Sequence, residues 1–288
     1  MAEENLKKKG TGLDPETNGI LNHLYIKLPD RSTGFFRYIR DFFTVLEFLT
    51  RIRVTKRIRW FPDDFARSVP FFPVIGLLMG ALMGAAATLG QSLAISGNML
   101  GLMLVLAELF FIGTLMYDGF MDTADGIFSG RTKERKLEIM QDSHVGANAV
   151  LGAVLLILAK VTLFASIPAE RLVPVLLGGY VLTRTLMVIY ILHFPNARPG
   201  GLGEMFKTGG SPWYTVIAVA SGLVFLHLIG SPYLFIGLLT LVPCLLTAFY
   251  LKVGLGGLTG DTFGALTECG IVYYLLCAYF VFAQGLFS

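Results

Sequence analysis

Charge is what this sequence has least of. Only 15% of its 288 residues are Asp, Glu, Lys or Arg, against about a quarter in soluble domains, while 54% are hydrophobic. An ordinary soluble core is excluded by that balance. From Phe71 to Ile95 there is no ionisable side chain across 25 positions, more than the roughly 20 helical residues that cross a bilayer. Cysteine is scarce too: Cys244, Cys269 and Cys277 lie in or beside apolar segments and form no CxxC pair. A disulfide framework is therefore excluded, and the three read as small buried hydrophobes. The opening MAEENLKKKGTGLDPETNG lacks the apolar central region of a cleavable signal peptide. Nucleic acid is not an expected partner, because the basic residues flank hydrophobic segments, where membrane topology accounts for them.

Apolar runs of helical length predict an all-α, polytopic membrane bundle of about seven transmembrane helices. They fall near Phe71–Ile95, Met99–Tyr117, Ala149–Ile167, Val173–His193, Trp213–Ile229, Tyr233–Tyr250 and Gly270–Phe287. Residues 1–34 read as a polar, disordered tail and 35–288 as one integral membrane domain. Of the 23 Lys and Arg, 13 precede Pro70, four lie in Asp118–Asn148, two in Phe194–Pro212 and one in Leu251–Cys269. By the positive-inside rule the N-terminus and these three long loops are expected in the cytoplasm, at the inner membrane. Phe35, Ile39, Phe42, Leu46 and Leu49 recur at spacings of three and four, the stripe of an amphipathic helix lying at the interface or capping the bundle. The lipid bilayer is thus a partner, whereas self-association is neither required nor excluded.

The chemistry concentrates in YDGFMDTADG, where Asp118, Asp122 and Asp125 are spaced by four and three and share one helix face. Carboxylates that close repel one another, and a hard divalent cation relieves them; Mg²⁺ keeps positions open for water and phosphate oxygens. The same loop carries the bases Arg131, Lys133, Arg135 and Lys136, a further acid, Asp142, and His144, which as a lone loop histidine reads as structural more readily than as a base. A second acidic element, LGGLTGDTFGALTE from Leu255 to Glu268, sets Thr259, Asp261 and Glu268 among glycines, Gly257 included, in a backbone suited to turning sharply towards an oxyanion. Within the spans, Glu108 and Lys160 lie at comparable depth and are expected to neutralise each other. Arg184 lies in a helix leading to HFPNARPGGLGEMF, where Arg198 and the glycines are suited to a phosphate.

The segment YDGFMDTADGIFSGRTKERKLEIMQDSHVG resembles the signature of the cobalamin synthases, or adenosylcobinamide-GDP ribazoletransferases. FLTRIRV, FFPVIGLLMG, LAK, TRTLM, PNARPGGLG and GGLTGDTFGALTE follow in the family's order, so the likeness runs from about Phe48 to Phe287. It implies an Mg²⁺-dependent membrane transferase that joins adenosylcobinamide-GDP to α-ribazole, or to its 5′-phosphate, and releases GMP. Asp118, Asp122, Asp125, Asp261 and Glu268 are then expected to hold metal on the pyrophosphate. Asp142 or Asp261 would take the ribazole proton, and Arg131, Arg184 and Arg198, with Gly257 and Thr259, would contact substrate. Two other classes fit less well. A CDP-alcohol phosphotransferase requires Ala-Arg where this chain has Asp122-Thr123, and a cation transporter calls for midplane acids and an internal repeat.

Overall fold

A computed structural model describes residues 34–55, 62–199, 202–207 and 211–287; the expected tail, residues 1–34, lies almost entirely outside them. No strand occurs among the described residues, and the chain is an all-helical bundle. Helix α1 (Phe35–Leu49) leads to α2 (Pro62–Ser68) and, through a 3₁₀ turn at Val69–Phe71, to α3 (Phe72–Ser92). Next come α4 (Gly97–Phe111), α5 (Leu115–Phe128), the short α6 (Lys133–Ile139), α7 (Ala147–Ser166) and α8 (Ala169–His193). The chain ends with α9 (Leu202–Lys207), α10 (Trp213–Ile229), α11 (Ser231–Leu255) and α12 (Gly260–Ala283).

The expected seven spans become five or six. Asp63–Ser92, α7, α8, α11 and α12 are each long and apolar enough to cross a membrane, and α10 is a shorter apolar helix. The run expected as Met99–Tyr117 breaks instead: α4 and α5 meet at 102°. Gly113 sits at the corner with φ +100°, in the region L side chains rarely enter. Its amide and that of Ile112 both bond the Glu108 carbonyl, at 3.1 and 2.8 Å, which closes α4. Helix α5 is therefore swung away from the direction of α4 and is not itself one of the five spans.

Buried α8 forms the centre, with its face from Tyr180 to Val188 almost wholly enclosed. Close approach depends on glycine, because lipid supplies no hydrophobic drive between helices and contact must come from backbone proximity. A Cβ at Gly76 of α3 would lie 2.5 Å from the Tyr180 carbonyl oxygen, and one at Gly101 of α4 would lie 2.2 Å from that of Val161 in α7. The capping reading of α1 fits the second half of the helix. Its second half is buried, with Arg40 bonded to Asp64 of α2 at 2.6 Å, while Phe35, Phe36 and Tyr38 at its start stay exposed. Because the neighbour at Gly101 is backbone and cannot move aside, Gly101→Ala is expected to destabilise by about 1–3 kcal/mol, read as a lower thermal midpoint of the purified protein in detergent.

Candidate active site

The two acidic segments distant in sequence are packed together. Gly119 of α5 lies so close to the start of α12 that a Cβ there would be 2.6 Å from the Asp261 carbonyl oxygen, and one at Gly264 would be 2.9 Å from that of Met116. The glycines flanking the aspartates therefore serve helix approach, and Gly126 does the same against Met140 of the following loop. A cavity of about 260 Å³ opens on the acidic face, lined by Asp118, Asp122 and Asp125 of α5 and by Asp142 and His144 of the loop before α7.

Within this cluster the carboxylates differ in what they already hold. Asp125 accepts the Gly146 amide at 2.6 Å and the Ala149 amide at 2.8 Å, so it caps the N-terminus of α7, satisfying donors that a helix start leaves free. A side chain at Gly146 would collide with that carboxylate. Asp142 accepts the His144 amide at 3.0 Å, and its Oδ1 lies 2.6 Å from His144 Nδ1; these bonds hold its carboxyl below the usual range. Asp118 and Asp122 have no hydrogen-bond partner among the described residues. Partial burial pushes the Asp122 carboxyl up to about 6, and the Asp118, Asp261 and Asp125 charges add to the rise.

Asp261 stands in the first turn of α12, which Thr259 opens with a capping box: its side chain accepts from Thr262 N, and its own amide donates to Thr262 Oγ1 at 2.8 Å. Arg198 Nη2 donates to Asp261 Oδ2 at 3.2 Å, while Arg198 Nη1 is buried with no partner among the described residues. The loop carrying Arg198 is held by a two-bond backbone bridge, Ala197 N to Leu258 O at 2.9 Å and Leu258 N to Pro195 O at 2.8 Å. Gly257 packs on this bridge, where a Cβ would lie 2.5 Å from Ala197 N, and Thr259 is buried in its capping role; both build the loop that carries Arg198.

Deeper in the bundle lies a second ionic cluster. Lys160 of α7, 0% exposed, donates to Glu108 Oε1 and Oε2 of α4 at 3.0 and 2.8 Å, to Tyr117 Oη of α5 at 3.1 Å and to Glu268 Oε2 of α12. Glu108 also accepts from Tyr117 at 2.8 Å and from Tyr180 of α8 at 2.7 Å. Pairing of Glu108 with Lys160 is as the sequence reading has it, but Glu268 joins them and is not placed with the aspartates. Eight residues of helix carry it about two turns inward from Gly260. Arg184 is a second correction. At 1% exposure in the middle of α8, it has Nε and Nη1 buried without partners and does not reach the acidic cavity's surface. Arg131 is exposed and does not line that cavity.

Residues 41–279 match the family model described as cobalamin-5-phosphate synthase. The chain belongs to that family. Among curated relatives, proteins named adenosylcobinamide-GDP ribazoletransferase are similar over most of their length. The one from Klebsiella pneumoniae strain 342 is 35% identical, over 83% of this chain and 98% of that protein. That from Desulfitobacterium hafniense is 36% identical, over 84% and 97%, and that from Desulforamulus reducens 35% identical, over 79% and 89%. No solved structure matches.

Whether these residues suit a metal is a matter of donor count. Among the described residues no three His, Cys, Asp or Glu side chains gather closely enough to hold one by themselves. Mg²⁺, however, is commonly held by one or two carboxylates together with substrate phosphates, and Asp118 and Asp122 are the two that no other group occupies. The donor set fits a site completed by substrate. Asp125→Ala is expected to cost about 1–2 kcal/mol through loss of the α7 cap, read as a lower thermal midpoint; Asp125→Asn, which still accepts one amide bond, is expected to recover about half of it.

Proposed function

We propose that this chain is a membrane-embedded adenosylcobinamide-GDP ribazoletransferase that uses Mg²⁺ and works at the cytoplasmic side of the inner membrane. The observation that carries the reading is the meeting of Asp118 and Asp122 with the Asp261–Arg198 pair at one end of the bundle. The names of the relatives, similar along nearly their whole length, support the substrates. The cytoplasmic side is supported by the concentration of Lys and Arg in the segments that build this end.

In this reaction the 5′-oxygen of α-ribazole attacks the phosphorus on the cobinamide side of the pyrophosphate. A new P–O bond forms there, the bond to the GMP phosphate breaks, and the electron pair leaves with GMP. Asp118 and Asp122 would hold the Mg²⁺, which when bound neutralises negative charge on the pyrophosphate and the departing phosphate. Arg198 offers its unpartnered Nη1 to a phosphate oxygen, a charge-assisted contact that its ion pair with Asp261 pre-orients. Asp261 is the better proton acceptor for the ribazole hydroxyl. Its Oδ1 has no partner among the described residues, whereas the His144 bonds to Asp142 weaken that carboxyl as a base. Asp125 acts on the reaction by fixing the α5–α7 corner rather than as a metal ligand.

Purified full-length protein given adenosylcobinamide-GDP, α-ribazole and Mg²⁺ is expected to release GMP and form adenosylcobalamin. Asp122→Asn is expected to lower kcat by about 10²–10³-fold with an unchanged thermal midpoint. Wild-type turnover and an unaltered Mg²⁺ dependence in that variant would remove Asp122 from the metal site.

A further inference from the structure

A groove of about 440 Å³ lies away from the acidic cavity, between the start of α1, the beginning of α3 and α10. Its walls are largely apolar: Phe71 and Val74 on one side, Tyr214 and Ile217 on the other. Tyr214, Ile217 and Ser221 recur at three and four residues along one face of α10, so the groove follows that helix for about 10 Å at 1.5 Å per residue. Its mouth is charged. Arg37 and Arg67 line it with Asp41; with Asp64 and Arg40, which are bonded behind them, the group holds three arginines against two aspartates, an excess of one positive charge.

The polar groups at that mouth are incompletely satisfied. Arg67 Nε donates to Asp41 Oδ2 at 3.3 Å and its Nη2 to Asp64 Oδ1 at 2.6 Å, which leaves three of the five guanidinium donors for another acceptor. Arg37 makes no ion pair among the described residues and lies only over the ring of its neighbour Tyr38. Asp41, 1% exposed, has Oδ1 buried with no partner among the described residues. The level of the mouth is marked by aromatics left exposed, Phe35 at 74%, Tyr38 at 55% and Trp213 at 69%, the side chains that favour the boundary between headgroups and water.

We infer that this groove is a binding site for one anionic phospholipid. The phosphodiester sits between Arg37 and Arg67, and one acyl chain follows Phe71, Val74 and Ile217 into the bilayer. A zwitterionic choline headgroup lacks the net negative charge, so the site discriminates against it. Such a lipid ties α1 to α3 and α10 and settles the amphipathic helix at the membrane boundary.

The test is native mass spectrometry of the full chain released from detergent after equilibration with phosphatidylglycerol or phosphatidylcholine. One phosphatidylglycerol is expected to be retained about tenfold more strongly than phosphatidylcholine. Arg37→Gln, at an exposed position whose loss leaves the fold intact, is expected to weaken retention about tenfold, as losing one charge-assisted contact does. Arg37→Lys should restore part of it, and Ile217→Trp, which fills the groove, should abolish it. Equal retention of the two lipids, undiminished retention in Arg37→Gln, or displacement of the lipid by inorganic phosphate alone would each overturn the assignment.

Discussion

One buried ammonium holds this bundle to its shape. Lys160 reaches the carboxylates of Glu108 and Glu268, which come from helices far apart in sequence, and two tyrosine hydroxyls complete the set. A charge this deep is tolerable only when paired and fully hydrogen-bonded, since removing an ion from water costs several kcal/mol even after relaxation. The cluster therefore leaves α4, α5, α7, α8 and α12 little freedom to shift separately. A hydrophobic substitute would supply packing but would not dictate which five helices meet.

The acidic platform rests on that constraint. Tyr117, bonded to both Glu108 and Lys160, immediately precedes Asp118, so the cluster anchors the first turn of α5 on which the aspartates stand. Glu268 anchors α12 two turns in from Asp261 in the same way. The Gly119 and Gly264 contacts then bring the two helices to backbone distance, and the charge of Asp261 is felt at Asp122. Partial burial, with the neighbouring aspartate charges adding to it, raises the Asp122 carboxyl to about 6. Depth thus separates the Lys160 cluster, whose charges are paired, from the Asp118 and Asp122 carboxylates, which have no partner among the described residues; Arg184, buried in α8 with Nε and Nη1 unmet among those residues, is the exception inside.

Much of this was legible in the residues. The helical class, the α1 stripe, the i, i+4, i+7 spacing of Asp118, Asp122 and Asp125, and the pairing of Glu108 with Lys160 follow from periodicity and from the cost of charge in a span. What was not legible depended on three-dimensional partners. Hydropathy measures apolar length, so it ran straight through the corner at Gly113 and counted Met99–Tyr117 as one span. It also started the last span at Gly270, because Asp261 and Glu268 read as loop charges until Lys160 is found beside the second. That Asp125 caps α7, that Gly257 yields to the Ala197 amide, and that Arg184 is sealed inside α8 are tertiary facts with no local signature. Tyr180 carried no signal at all.

The claim that one lysine sets the arrangement is tested most directly by thermal unfolding of Lys160→Met alongside the triple variant Lys160→Met, Glu108→Gln, Glu268→Gln. The single change is expected to destabilise by about 3–5 kcal/mol, because it strands two buried carboxylates, and the triple variant to regain more than half of that by removing them. A silent single variant, or a triple variant whose losses simply add, would contradict the account.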